Sequence, residues 1–408
     1  MKLNNRNIAI ILFCIFVVMS GYGVLLPVLP YYTERLALKS GVVADEDINY
    51  HIGILTSIYP FFQLLFAVVW GKLSDRFGRK ILIVMGMLGF VIMQFLTGLA
   101  TSLTMLYVAR ILGGIFSSSV IPVGNAFLSD LTDRTHRRKV LAWSGVAVSA
   151  GVIAGPMIGG FLAQTNLHFS TTFGHFLLDK FSVPFLVIAL LGILILLVTL
   201  AWLKNPENNK SGTLLQAQKS KLKVGHGFML LLSLSIVVQL AVTLFETVFS
   251  VYAKDILTFG TSQIGLGFML CGLIMAVLQP VFASLDEKKV SIKAQLLFGF
   301  GIASISMFAF SLWNSDMYVY STIVAFAIGG AMVTPNLIAM VSFIDQDHTG
   351  TNLSLQTSMN SIGQVAGPVL GMWLYTMGKT WPFPFIGVVL LLAAVMVVPK
   401  LNYKIKRA

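Results

Sequence analysis

The chain has 408 residues, of which 56% are hydrophobic and only 11% charged, and its mean hydropathy is +0.85. So few polar groups cannot cover a soluble surface of this size, which excludes a water-soluble domain and leaves an integral membrane protein. The net charge of +12 suggests nucleic acid only until its distribution is read: with the amino terminus placed inside, 22 of the 28 lysines and arginines fall on one side. That asymmetry is the positive-inside pattern, so the basicity reports orientation and anionic lipid, with no nucleic-acid partner.

Apolar stretches near the roughly 20 residues needed to cross a bilayer recur along the whole chain. Twelve spans are expected, at about 8–32, 51–71, 81–101, 104–130, 140–164 and 183–203, then 227–253, 262–284, 292–313, 317–344, 352–377 and 382–399. An even number places both termini on the cytoplasmic side. Between the two sets of six lies Lys204 to His226, rich in Asn, Ser, Gly and Lys, which reads as a cytoplasmic linker. The expected organisation is therefore a six-helix bundle over 1–203, a linker over 204–226 and a second six-helix bundle over 227–408. Cys14 and Cys271 both fall inside apolar segments, which argues against a disulfide framework or a thiolate metal site; no metal site is expected.

In chain order, span one carries Tyr22-Gly-Val-Leu-Leu-Pro27-Val-Leu-Pro30-Tyr31-Tyr32, with two prolines three apart that suit a bent outer end. A dense island of charge follows between spans two and three: Gly71-Lys-Leu-Ser-Asp75-Arg76-Phe-Gly78-Arg79-Lys80. Gly71 suits a close approach of two helices, Gly78 a tight reversal, and the cations hold the turn inside. Asp75 sits at a helix end, able to pair with a basic group or a helix N-terminus. This decapeptide resembles the signature loop of the major facilitator superfamily. The resemblance implies an all-α membrane protein with twelve transmembrane helices in two pseudo-twofold-related bundles, and a gating role for Gly71, Asp75, Arg76 and Gly78.

Span four contains Leu106-Tyr-Val-Ala-Arg110-Ile-Leu-Gly113-Gly114. A guanidinium is costly in lipid and keeps its proton, so Arg110 should face the protein interior. The resemblance implies that it assists proton transfer; a structural hydrogen-bonding anchor is the alternative. At the end of the same span, Asp130 could latch onto Arg76 or another basic loop residue, or form an ordinary surface ion pair. Span five reads Gly151-x-x-x-Gly155-Pro156-x-x-Gly159-Gly160, similar to the superfamily's antiporter motif, although plain small-residue packing would give the same pattern. It recurs in span eleven as Gly363-x-x-x-Gly367-Pro368-x-x-Gly371, at an offset of 212 residues, and Asp75 and Pro122 are echoed at Asp286 and Pro335. Offsets this nearly equal (212, 211 and 213 residues) indicate an internal duplication.

Only one carboxylate lies well inside a span: Glu246, in Phe245-Glu246-Thr-Val-Phe-Ser-Val-Tyr252 of span seven. An uncompensated acid there invites either a proton or a cationic substrate, and competition between the two would couple them; a structural glutamate is the alternative. The segment is similar to the seventh helix of the NorA and Bmr group of bacterial multidrug:proton antiporters, where this glutamate handles drug and proton. Span ten departs from that group, since Ala331 stands where NorA has an acid, which puts a two-acid mechanism in question.

The resemblance further implies a cavity, for which Tyr59, Gln63, Asn125, Gln239, Phe245, Glu246, Asn336, Gln356 and Asn360 are candidates. It also implies a proton-coupled exporter of amphiphilic small molecules in a bacterial cytoplasmic membrane, working as a monomer by alternating access, with the proton gradient as energy source and no cofactor. An exporter dedicated to one metabolite, such as a sugar, siderophore or lipid-linked compound, is the alternative. Nothing resembles a nucleotide loop, a metal cluster or a serine triad, so no catalytic residues are expected. A sensor or scaffold of the same fold would tolerate loss of Glu246 and Arg110.

Overall fold

The computed structural model describes residues 5–132, 134–164, 171–173, 176–204, 225–285, 290–343 and 349–400. Most of the linker, Asp286, and the basic residues at positions 2 and 401–407 fall outside them, as does the side chain of Asp75. Thirteen α-helices dominate: α1 Asn5–Lys39, α2 Asp45–Phe77, α3 Arg79–Gly98, α4 Leu103–Phe116, α5 Val120–Asp130, α6 Arg134–Ala163, α7 Val183–Trp202, α8 His226–Asp255, α9 Thr261–Ala283, α10 Ile292–Phe310, α11 Asp316–Phe343, α12 Thr349–Met377 and α13 Pro382–Lys400. A 3₁₀ turn, Ser117–Ser119, joins α4 to α5 end to end, so the described helices form twelve rods. Among the described residues, nine helices are long and apolar enough to cross a membrane.

Local chemistry sets the ends. Ser102 and Ser291 accept the backbone N–H of Met105 and Ala294 at the starts of α4 and α10. Asp45, Glu46 and Asp47 occupy the first turn of α2, where the helix dipole favours negative charge. α7 is aliphatic nearly all round, as a helix facing both lipid and protein must be. Asp179 ties its start to α1: one carboxylate oxygen accepts from the N–H groups of Phe181 (3.0 Å) and Ser182 (3.2 Å), and the other pairs with Arg35.

The first two helices are longer than the apolar stretches alone indicate, because α1 runs on through Thr33-Glu-Arg-Leu-Ala-Leu-Lys39 and α2 starts before His51. A second difference lies between α6 and α7. Thr171–Phe173 (β1) and Phe176–Leu178 (β2) pair antiparallel, Thr171 opposite Leu178 and Phe173 opposite Phe176. Threonine and aromatic residues flanking two central positions favour such a hairpin over helix.

The helices fall into two compact units, one of Met1–His51, Ile58–Ser220 and Phe259–Met269, the other of Ile52–Ser57, Lys221–Thr258 and Leu270–Ala408. In the first unit α1 packs along α6, and α3 along α7 and α4. The same pairs recur one repeat later in the second, with α8 along α12 and α10 along α13 and α11. Glycine sets the first of these seams: a methyl on Gly155 would come 2.5 Å from the Ser20 carbonyl oxygen, and one on Gly363 2.5 Å from that of Ile236. Such close backbone approach supplies dispersion contact where lipid removes any hydrophobic drive for helices to associate.

Candidate functional site

Glu246 lies on α8, several of whose hydroxyls are satisfied within the helix or on its neighbour. The hydroxyls of Thr243, Thr247 and Ser250 donate to the carbonyls one turn back, at 2.9, 2.9 and 2.8 Å, and Thr243 also reaches the Gly363 carbonyl of α12 at 3.3 Å. These bonds and the glycine ladder Gly363, Gly367, Gly371 fix how α8 is turned against α12. Glu246 is half-buried, and among the described residues no hydrogen bond or ion pair reaches its carboxylate. Cys271 of α9 lies within electrostatic range of it. Phe245, the residue before it, is taken up by packing instead: 1% exposed, it stacks on Phe249 with centroids 5.5 Å apart and touches Phe326 (4.9 Å) and Phe310 (5.7 Å). It belongs to an aromatic core of the second unit.

Arg110 is in the first unit, buried in α4 at 3% exposure. Its guanidinium carbon lies 4.9 Å from the centre of the Tyr59 ring. The glycines after it make that stacking possible: a methyl on Gly114 would come 2.5 Å from the Tyr59 carbonyl oxygen, and one on Gly113 3.3 Å from the Tyr59 ring. Tyr59 is held in turn by a 2.8 Å bond between its hydroxyl and that of Ser117, which donates to the Gly113 carbonyl at 2.5 Å. Tyr22 of α1 completes the group, its ring 6.0 Å from that of Tyr59. Arg110, Tyr59 and the 3₁₀ turn thus form one fixed assembly.

The signature loop reverses at Gly78, whose φ of +90° is a conformation side-chain-bearing residues rarely adopt, and whose N–H bonds to the Ser74 carbonyl at 3.2 Å. Asp130 finds its partner in Arg79, Nε to Oδ2 3.1 Å, and Arg79 also donates to the Ser74 hydroxyl. Arg76 is exposed and stacks over Phe77 at 5.4 Å. Lys80 donates to the Leu200 carbonyl at 3.1 Å, at the last turn of α7. Gly71 corrects an expectation: a methyl there would meet nothing within 4 Å among the described residues, so no close helix approach explains this glycine. In α6 the glycines divide between two neighbours. Gly151, Gly155 and Gly159 face α1, whereas Gly160 faces the first turn of α9.

The remaining cavity candidates sort by hydrogen bonding. Asn125 accepts from Ser144 at 2.6 Å, Asn336 donates to Gln295 at 2.9 Å and to the Met332 carbonyl at 2.7 Å, and Gln356 donates to Ser235 at 3.1 Å. These bonds tie helices together inside one unit. Gln63 in the first unit, and Gln239 and Asn360 in the second, are half-buried with no side-chain partner among the described residues. Gln239 and Glu246 are two turns apart on one face of α8, and Asn360 lies one turn before Gly363 on α12. Ala331 is fully buried, so no titratable group stands there. Two further residues went unnoticed in the sequence: Gln94, buried with no partner for its amide nitrogen among the described residues, and Thr258, the one described non-glycine residue with positive φ.

A mostly helical chain with apolar spans, repeated helix pairs, an acid within the apolar length of α8 and a buried, stacked arginine on α4 has the make-up of a duplicated helical membrane protein. A bacterial homologue of the human lysosomal transporter Spinster, solved in an inward-facing and occupied conformation, has the same fold, with a TM-score of 0.81 at 14% identity over 98% of this chain and 97% of that one. The chain belongs to the Major Facilitator Superfamily, whose sequence profile matches residues 11–363. It is 26% identical to multidrug resistance protein 1 of Bacillus subtilis, across 96% of this chain and 95% of that protein. It is 29% identical to the class B tetracycline resistance protein of Escherichia coli (87% and 85% covered), and 23% to the quinolone resistance protein NorA of Staphylococcus aureus (91% and 90%).

Proposed function

We propose that this transporter is a proton-coupled exporter of amphiphilic small molecules that works by alternating access between bundles formed by residues 1–203 and 227–408, joined by the linker 204–226. The observation that carries the reading is the carboxylate of Glu246 in the middle of α8, which has no hydrogen-bond or ion-pair partner among the described residues. A charge there is tolerated only while a proton or a cation neutralises it, so the two ligands exclude each other and exchange becomes obligatory. Proton arrival displaces substrate on one side of the membrane; release on the other resets the carrier. Arg110, held on Tyr59, keeps a fixed positive charge in the first unit, and Arg79 with Asp130 latches the signature loop, with Asp75, Arg76 and Gly78 shaping it. Gln63, Gln239 and Asn360 supply free hydrogen-bonding groups for cargo. The resistance proteins among the relatives support drug-like cargo, and the basic loops support a bacterial cytoplasmic membrane with both termini inside; the working unit is a monomer, powered by the proton gradient without a cofactor.

The test is uptake of chemically diverse compounds into inverted vesicles carrying a proton gradient, with the native chain and with Glu246→Gln. The native chain should accumulate several unrelated amphiphiles and the variant none. A second reading, export of one native compound, is favoured by the absence of an acid at Ala331 and by the three free carboxamides, which suit a cargo rich in hydrogen-bonding groups. Strict selectivity in a competition panel would decide for it.

A further inference from the structure

The carboxyl end of α7 meets the starts of α1 and α3, all three within the first unit. A helix leaves its last four carbonyls without partners of its own, and here the neighbours take them up. The Lys80 ammonium of α3 donates to the Leu200 carbonyl at 3.1 Å, and the Leu203 N–H to that of Thr199 at 3.2 Å. Just beyond the helix, the Asn7 side chain of α1 donates to the Lys204 carbonyl at 3.2 Å. Two turns further along α1, the Cys14 thiol and the Thr199 hydroxyl lie 3.4 Å apart and hold the same two helices together.

This corner keeps one acceptor and several cations unsatisfied. Asn7 is 1% exposed, and among the described residues nothing donates to its Oδ1. A buried acceptor left so is costly and calls for a donor. Arg6 and Lys204 are exposed, and no hydrogen bond or ion pair reaches their side chains among the described residues. The three converging ends, residues 5–8, 79–82 and 199–204, hold these two cations, Lys80 and the paired Arg79, and no acid. Beside the cations the surface turns apolar. Ile81 and Met85 on one face of α3, and Leu197 and Leu200 on α7, are 41 to 56% exposed, so two neighbouring helices present stripes that lead to the charges. Trp202, 54% exposed, stands at the level of the lysines, where a membrane places its headgroups.

We propose that this corner seats one anionic phospholipid with a glycerol headgroup: Lys80, Lys204 and Arg6 hold its phosphate, a headgroup hydroxyl inserts between α1 and the end of α7 to donate to Asn7 Oδ1, and its acyl chains lie along the two stripes. Lysine has three donors, so Lys80 can serve the phosphate without leaving the Leu200 carbonyl. The lipid completes the cap of α7 and ties three helix ends together, and on the orientation proposed above it belongs to the cytoplasmic leaflet. Phosphatidylglycerol supplies both the charge and the hydroxyl; phosphatidic acid supplies only the charge, and phosphatidylcholine neither.

The full chain, purified in detergent and stripped of lipid, is given each of these three lipids with identical acyl chains, and retention of one lipid is read by native mass spectrometry. Phosphatidylglycerol should be retained over phosphatidylcholine by more than roughly tenfold, and Lys204→Gln or Arg6→Gln should each lower its retention about fivefold, the weight of one basic group facing an anionic lipid. Asn7→Leu should bring phosphatidylglycerol down to the level of phosphatidic acid while leaving phosphatidic acid where it was. Lys379→Gln, which removes the same charge from an exposed position of the second unit, should change nothing. Equal retention of the three lipids, an equal loss with Lys379→Gln, or an unchanged preference in Asn7→Leu overturns the site. So does displacement of the lipid by glycerol 1-phosphate, which would assign the cations to a soluble phosphate ester. Neither cargo nor a gradient enters the measurement, so its failure leaves the proposal for Glu246 standing, and loss of that proposal leaves this one intact.

Discussion

At the residue scale, a few side chains carry roles that their neighbours make checkable. Arg110 keeps its charge whatever happens, so its contribution is placement: the planar guanidinium stacks on Tyr59, and a lysine would hold the charge without the plane. Arg110→Lys should therefore lower the transport rate by roughly tenfold, the weight of a buried cation–π contact, while leaving the protein folded by circular dichroism. Gly78 is required by its backbone angle; Gly78→Ala should destabilise the purified chain by about 1–2 kcal/mol in thermal melting. Gly71 has open space around it, so Gly71→Ala should leave the melting temperature unchanged or slightly raised, since alanine is the better helix former. Glu246 and the turn at Gly78 were both legible in the sequence, the first because an acid in a long apolar run stands alone, the second because turn chemistry is local. The hydrogen-bond partners were not. Gln356 reaches Ser235 across 121 positions of chain, and nothing local to either residue distinguishes a paired amide from a free one.

At the scale of elements, the repeated glycine-rich helix shows how far a motif can be read. Its period places Gly151, Gly155 and Gly159 on one face, and that face indeed meets α1; Gly160 lies about a hundred degrees away and meets α9 instead. A motif that reads as one packing stripe therefore serves two helices at once. Gly155→Val should prevent α1 and α6 from closing, seen as loss of monodisperse protein after extraction, because the Ser20 carbonyl and Gly23 leave no room for a side chain. The split of the fourth span by Ser117–Ser119 and the short hairpin at 171–178 escaped the sequence reading. The first is decided by contacts made elsewhere, since the serines bond to carbonyls of α3 and α4, and the second by pairing between two short segments rather than within either.

At the scale of the molecule, the two units repeat the same helix pairs yet differ in what they hold. The first contains a stacked arginine and an ion pair, Arg79 with Asp130; the second contains an aromatic core and, on α8, a carboxylate with no partner among the described residues. Duplication built the scaffold, and divergence placed the chemistry. In the proposed cycle the coupling rests on Glu246, and Ala331 offers no second acid to share it. The most direct test compares two assays on one variant, Glu246→Gln in proteoliposomes: uptake driven by a pH difference, and exchange of labelled for unlabelled cargo with no gradient. The account predicts that driven uptake and exchange are both lost while the variant stays folded by circular dichroism, since the glutamine is a permanently neutral stand-in for the protonated acid, the form that expels cargo. Driven uptake at the native rate in that variant would contradict it.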